Sequence, residues 1–162
     1  EKISLQHLLK EAHQEVQDLL QERHILTEWK LPKTALLVNA DPTKLRQAFV
    51  NVFKNAARFS SAGGKVAVNL RQVGSQAEIA ITDHGIGIPA SQLETIFDRM
   101  RQLEDHTIRT HGGLGLGLPI ARGLVELHHG RMWAESEGEH KGTTVRCTLP
   151  LASVPPFVED SI

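Results

Sequence analysis

Asn51 and Asn55 stand four residues apart, with Arg58 three further on, in the stretch DPTKLRQAFVNVFKNAARFS from Asp41 to Ser60. On a helix this spacing stacks both amides on one face, with a cation one turn beyond. Amide oxygens can hold a hard metal ion or its waters, and the cation can meet a phosphate. Asp83 offers different chemistry, because it ends an alternating stretch and runs into His84-Gly85-Ile86-Gly87-Ile88-Pro89. Glycines at that spacing let the backbone approach a flat ligand, with Asp83 as hydrogen-bond acceptor. A third feature, Gly112-Gly113-Leu114-Gly115-Leu116-Gly117-Leu118-Pro119, feeds a helical pattern. There, backbone N–H groups and the helix dipole can cradle phosphate. Each feature has a plainer reading: a solvated helix face, a tight exit from a strand, and a glycine-rich loop that lacks the Lys-Ser/Thr ending of a P-loop.

These residues need elements to hold them. Pro42 and the candidate N-cap Asp41 start a helix in which Leu45, Phe49, Val52, Phe53 and Ala56 form the core stripe, while Lys44, Gln47, Asn51, Asn55 and Arg58 gather on another side. Upstream, Glu1 to Leu5 reads as a short edge strand. An amphipathic helix follows from Leu5 to near Arg23, with Leu8, Leu9, Ala12, Val16, Leu19 and Leu20 at helical spacing. His24 to Leu31 and Ala35 to Val38 read as two strands around a Pro32 turn. Lys65 to Gln72 and Gln76 to Asp83 alternate around Val73-Gly74-Ser75 as a β-hairpin. A short helix is expected over Ser91 to Asp98. The polar stretch Met100 to His111 reads either as a lid or as plain disorder. A helix is expected to run from the glycine-rich turn through His129, followed by a strand pair, Arg131 to Glu137 and Thr143 to Leu149, and a loose tail.

Composition bounds the class. At 162 residues the chain is read as one domain that can bury about 70% of its unfolded surface without a stapling metal or disulfide. A net charge of −1 with no long basic run argues against a nucleic-acid surface. The single cysteine, Cys147, excludes an internal disulfide and a Cys-rich zinc site, and its alternating neighbourhood makes it a packed strand thiol. His128 and His129, as neighbours on a helix, point about 100° apart and make no convincing metal site. No apolar run reaches the length of a membrane span and no signal peptide is visible, so no direct membrane contact and a cytoplasmic location are expected. Starting at Glu1, the chain is expected to be a piece of a longer protein, whose possible anchor is left open.

Four motifs in one order carry a resemblance over residues 1–151. NVFKNAARFS resembles the N box, DHGIGIP the first glycine box, IFDRM the F box and GGLGLGL the second glycine box, with GTT as a weaker third. The chain resembles the catalytic, ATP-binding domain of bacterial sensor histidine kinases, in the superfamily that includes DNA gyrase B, Hsp90 and MutL. The resemblance implies an α/β fold: a two-layer sandwich (Bergerat fold) of a mixed sheet against about three helices, with an ATP lid. Residues 152–162 are left as a tail. It further implies ATP and Mg²⁺ as ligands. Asn55 would coordinate the metal, Asn51 would assist at the metal or phosphates, Arg58 would face a phosphate and Phe59 would flank the nucleotide. Asp83 would accept from the adenine amino group beside Gly85, Gly87 and Ile88. Gly113, Leu114, Gly115, Leu116, Gly117 and Leu118 would border the triphosphate, and Thr143 is a further pocket residue.

The implied activity is presentation of the γ-phosphate to a histidine on a separate dimerisation and phosphoacceptor domain, with a response regulator receiver domain downstream. None of the nine histidines is followed by an acidic residue, so that acceptor is expected elsewhere. Two alternatives remain: an ATP-hydrolysing switch of the gyrase, Hsp90 and MutL kind, and a nucleotide-binding docking module without transfer. Against hydrolysis, Asn51 stands where those relatives place a basic glutamate. Met100 replaces an expected F-box aromatic, and His129 replaces a common glycine, a departure expected to be structurally minor.

Overall fold

Ser4 separates the first strand from the first helix in the computed structural model, which describes residues 1–85, 114–136 and 141–152. Strand β1 (Lys2–Ser4) gives way to helix α1 (Leu5–Glu22), where the Ser4 hydroxyl accepts from the His7 N–H and satisfies an open donor of the first turn. The helix buries Leu5, Leu8, Leu9, Ala12, Val16 and Leu20, the stripe its spacing predicts. Strands β2 (Leu26–Lys30) and β3 (Leu37–Asn39) follow. They do not pair with each other. β3 joins β1 in a two-stranded antiparallel sheet, whereas β2 runs parallel to a strand far downstream.

Helix α2 (Pro42–Phe59) starts as its sequence asks: Asp41 caps the Lys44 N–H and Pro42 takes the first turn, where its missing donor costs nothing. Strands β4 (Lys65–Val73) and β5 (Gln76–Asp83) form the expected hairpin. Its two-residue turn places Gly74 at φ +62°, which only glycine accepts without strain. Helix α3 (Leu114–Leu127), strand β6 (Arg131–Glu135) and strand β7 (Thr143–Pro150) complete the described elements. The five-stranded sheet has the order β2-β4-β5-β7-β6. Only β2–β4 is parallel, a pairing that needs a crossover such as the one α2 supplies. Inward residues Val66, Val68, Leu70, Ile79, Ile81, Val145 and Leu149 pack under helices that bury Phe49, Phe53 and Leu118. Cys147 lies on that inner face, and burial pushes its thiol up to about 12, as a packed strand thiol requires.

Helices α1 and α3 stop in the same way. His24 N–H donates to Gln21 O and Ile25 N–H to Leu20 O; His129 N–H donates to Glu126 O and Gly130 N–H to Val125 O. Each pair forms a Schellman motif, whose reversing residue takes the left-handed region. That residue is a histidine both times, His24 at φ +58° and His129 at φ +67°. The replacement of glycine at 129 is therefore not minor: it places a Cβ where the backbone disfavours one. The same turns delay β2 to Leu26 and end α3 at Leu127, short of the boundaries the sequence pattern suggests. Two further differences concern α3, which already includes Gly115 and Gly117 in its first turns and carries Pro119 inside the helix. The expected helix over Ser91 to Asp98, the stretch Met100 to His111 and the tail from residue 153 lie outside the described residues.

Candidate functional site

Period-two alternation decides where Asp83 points. Ile79, Ile81 and Asp83 share one parity of β5, so the last inward position of an apolar strand holds a carboxylate. Thr143, the first inward residue of β7, is its direct cross-strand partner. Among the described residues the buried polar or charged ones are Asn51, Asn55, Ser60, Asp83 and Thr143, and four of these five were singled out from the sequence. Burial outweighs the other influences on Asp83 and pushes its carboxyl from 3.8 up to about 6. Hydrogen bonds from the backbone N–H groups of Gly85 and Thr143, and the nearby His84, oppose that rise.

Two glycines make this arrangement possible. Gly85 donates its N–H to Asp83 Oδ1 at 3.0 Å and forms an antiparallel bridge with Ser60, the C-cap of α2. A Cβ at Gly85 would lie 1.6 Å from the carbonyl oxygen of Phe59, so no other residue fits there. From the other side Gly142, at φ +79°, would place a Cβ 2.3 Å from the Asp83 carbonyl oxygen. The end of the N-box helix and the start of the first glycine box are thus in backbone contact around one buried acid.

The amide stripe of α2 does not simply meet water. Lys44 and Gln47 are exposed, but one turn further on the stripe enters the interior: Asn51 and Asn55 are buried and Arg58 is half-buried. Asn51 Oδ1 accepts from Gln47 Nε2 at 3.0 Å, an i,i+4 contact. Asn55 Oδ1, by contrast, is buried with no hydrogen-bond partner among the described residues. Phe59 is half-buried against the core. Helix α3 crosses α2 here, with Gly117 nearest to Asn51: an added Cβ would meet the Asn51 Cβ at 4.0 Å, an ordinary contact. Packing among the described residues therefore does not demand a glycine at 117, although glycine costs a helix about 1 kcal/mol relative to alanine.

Asn51 and Gly117 meet where α2 packs on α3, and Phe59, Asp83, Gly85 and Thr143 meet at the β5–β7 strand ends, while Asn55 and Arg58 lie further along α2 from Asn51. Leu118 is buried in the core, so only its backbone N–H is left to meet a ligand. For Leu114, Gly115 and Leu116 only the helical backbone is described, and Gly87, Ile88 and Gly113 lie outside the described residues. Sequence reading missed the structural parts played by Ser60 and Gly142, although both lie inside motifs it marks, Ser60 at the end of NVFKNAARFS and Gly142 at the start of GTT. Among the described residues no group of three or more His, Cys, Asp or Glu could hold a metal, and no helix is long and apolar enough to cross a membrane.

Comparison with known proteins places these features in a wider set. The family model described as histidine kinase-, DNA gyrase B-, and HSP90-like ATPase matches residues 40–153. Over 122 residues the chain is 39% identical to the sensor protein kinase WalK of Staphylococcus aureus, covering 74% of this chain and 29% of that protein. The chain thus spans less than a third of the length of that curated relative. Among solved structures, the mycobacterial sensor histidine kinase MprB matches with a TM-score of 0.79 at 29% identity, over 95% of this chain and 99% of that chain. Full-length ShkA in complex with AMPPNP matches with a TM-score of 0.75 at 25% identity, over 95% of this chain and 31% of that one.

Proposed function

Because this chain belongs to the family of histidine kinase-, DNA gyrase B- and HSP90-like ATPases, we propose that residues 1–151 form a unit that binds Mg-ATP and presents its γ-phosphate to a histidine. That histidine belongs to a helical dimerisation and phosphoacceptor domain of the same or a cognate protein, and the phosphate passes on to a response regulator receiver domain. Residues 152–162 form a tail outside this unit. The observation that carries the reading is the buried Asp83 carboxylate beside the glycine-enforced contact of Gly85 with the end of α2. A buried carboxylate raised to about 6 is costly without a partner, and an adenine amino group is a donor of the right kind. In support, the related ShkA structure is a complex with an ATP analogue, AMPPNP.

The remaining roles follow the chemistry of each group. Asn55 Oδ1, a buried oxygen without a partner among the described residues, suits a hard cation that takes oxygen ligands, so Asn55 is the residue that would hold Mg²⁺ directly or through water. When bound, Mg²⁺ would neutralise charge that develops on the phosphate oxygens. Asn51 supports that end, its side chain oriented by Gln47. Arg58 faces a phosphate and Phe59 flanks the base. Gly85, Gly87 and Ile88 open the base pocket with Thr143 behind Asp83. Gly113 and the backbone N–H groups of Leu114 to Leu118, the latter in the first turns of α3, border the triphosphate, where the helix dipole favours negative charge. A glycine at 117 that packing does not require keeps that approach open.

Hydrolysis as the main activity is disfavoured, because Asn51 has no useful basicity and its oxygen is engaged by Gln47. The test is incubation of the chain with γ-labelled ATP and a cognate phosphoacceptor domain. Label that appears on histidine, acid-labile and base-stable, is the expected result. Bound ATP with no labelled histidine would favour the docking module, and rapid release of free phosphate would favour the ATPase.

A further inference from the structure

Arg23 lies at the end of α1, outside every motif of the nucleotide site, yet its side chain reaches the end of α2. Its guanidinium donates from Nη1 to the carbonyl of Arg58 at 3.2 Å and from Nη2 to the carbonyl of Ser60 at 2.7 Å. A helix C-terminus leaves carbonyls without intrahelical donors and carries partial negative charge, so a planar cationic fork is well matched to it. The backbone reinforces the tie, because the Arg23 carbonyl accepts from the Gly63 N–H at 2.9 Å. Both ends of the Ser60–Gly63 turn are therefore held by one residue.

What Ser60 does next gives the contact a consequence. Ser60 is buried and bridges Gly85, and Gly85 orients the Asp83 carboxylate through its N–H. No slack exists in that step, since a Cβ on Gly85 would fall inside the Phe59 carbonyl. Arg23, Ser60, Gly85 and Asp83 thus form a continuous series of hydrogen bonds and backbone contacts from the far end of α1 to the buried acid. We propose that Arg23 is a positioning residue for recognition of the nucleotide base: by clamping the end of α2 it fixes Gly85, and through Gly85 the direction in which Asp83 presents its carboxylate. The inference rests on Asp83 reading the adenine amino group.

A merely structural Arg23 would affect all ligands alike, whereas a positioning Arg23 affects the part of binding that senses the base. Inosine triphosphate separates the two, because it keeps the triphosphate and ribose but presents an oxygen where adenine presents its amino group. Dissociation constants for ATP and inosine triphosphate are measured by calorimetry with the wild-type chain, Arg23→Gln and Arg23→Lys, each checked for folding by circular dichroism. The wild type should prefer ATP by about tenfold or more. Arg23→Gln should reduce that preference through an ATP affinity weakened about two- to thirtyfold, with inosine triphosphate little changed. Arg23→Lys, which keeps the charge but not the fork, should fall between them, and it decides the matter if the glutamine variant does not fold. A preference that survives undiminished in the folded variants, or equal losses for both nucleotides, would overturn the role of Arg23 while leaving the Asp83 reading intact. A wild type that binds both nucleotides equally would overturn that reading and this inference with it.

Discussion

Replacing Asp83 by asparagine keeps the shape of the side chain and removes its charge, and the consequence for the ligand-free fold depends on pH in a way the structure specifies. Burial raises the native carboxyl to about 6 from an ordinary 3.8. Between those values the folded state holds a proton that the unfolded state has released, so stability falls as pH rises through this window and is flat above it. A window about two pH units wide, at about 1.4 kcal/mol per unit, amounts to about 3 kcal/mol of native stability given up to keep an anion in the interior. Asp83→Asn carries no such term. Urea unfolding at intervals from pH 4 to pH 8 should show the variant gaining on the wild type by up to about 3 kcal/mol between pH 4 and pH 6.5, with no further gain above. Lost hydrogen bonds from Gly85 and Thr143 add a constant offset, so the pH-dependent part of the difference is the quantity to read. A difference that is constant across the range, or that shrinks as pH rises, would refute the argument that burial dominates at this carboxylate.

Other consequences can be checked separately. His24→Gly and His129→Gly, at φ +58° and +67°, should each stabilise the fold by about 0.5–1 kcal/mol, measured as a higher urea midpoint with an unchanged slope. Gly85→Ala drives a Cβ into the Phe59 carbonyl and should cost about 2–3 kcal/mol along with nucleotide binding, read by unfolding and titration. Asn55→Ala should abolish the gain in ATP affinity that Mg²⁺ provides and leave binding in a chelator close to wild type. Because the Asp83 carboxylate must be ionised to accept well from the base, ATP affinity should fall as pH drops through about 6, and Asp83→Asn should remove that dependence.

Much of this site could be read from local pattern. The stacked amides of α2, its Asp41–Pro42 start and the hairpin that ends at Asp83 all rest on short-range rules of spacing and turn chemistry, and the structure matches them. The alternation of β5 also carries its last residue, Asp83, to the inner face. The rest depends on contacts between residues far apart in the chain. No local signal says that β2 lies parallel to β4 while β3 turns away to β1. Gly117 of α3 lies against Asn51, a contact that the pattern of α2 cannot report. Gly115 and Gly117 read as loop because glycine is a poor helix former, yet they sit in the first turns of α3. The left-handed histidines show themselves only in backbone angles, and Arg23 acts on carbonyls 35 and 37 residues away.

The central claim, that a nucleotide pocket is built around Asp83, is tested most directly by calorimetric titration with a non-hydrolysable ATP analogue, with and without Mg²⁺, beside Asp83→Ala. The account predicts saturable binding that strengthens with Mg²⁺ and weakens about ten- to hundredfold in the folded variant. Equal binding by both proteins, or none by a folded wild type, would contradict it.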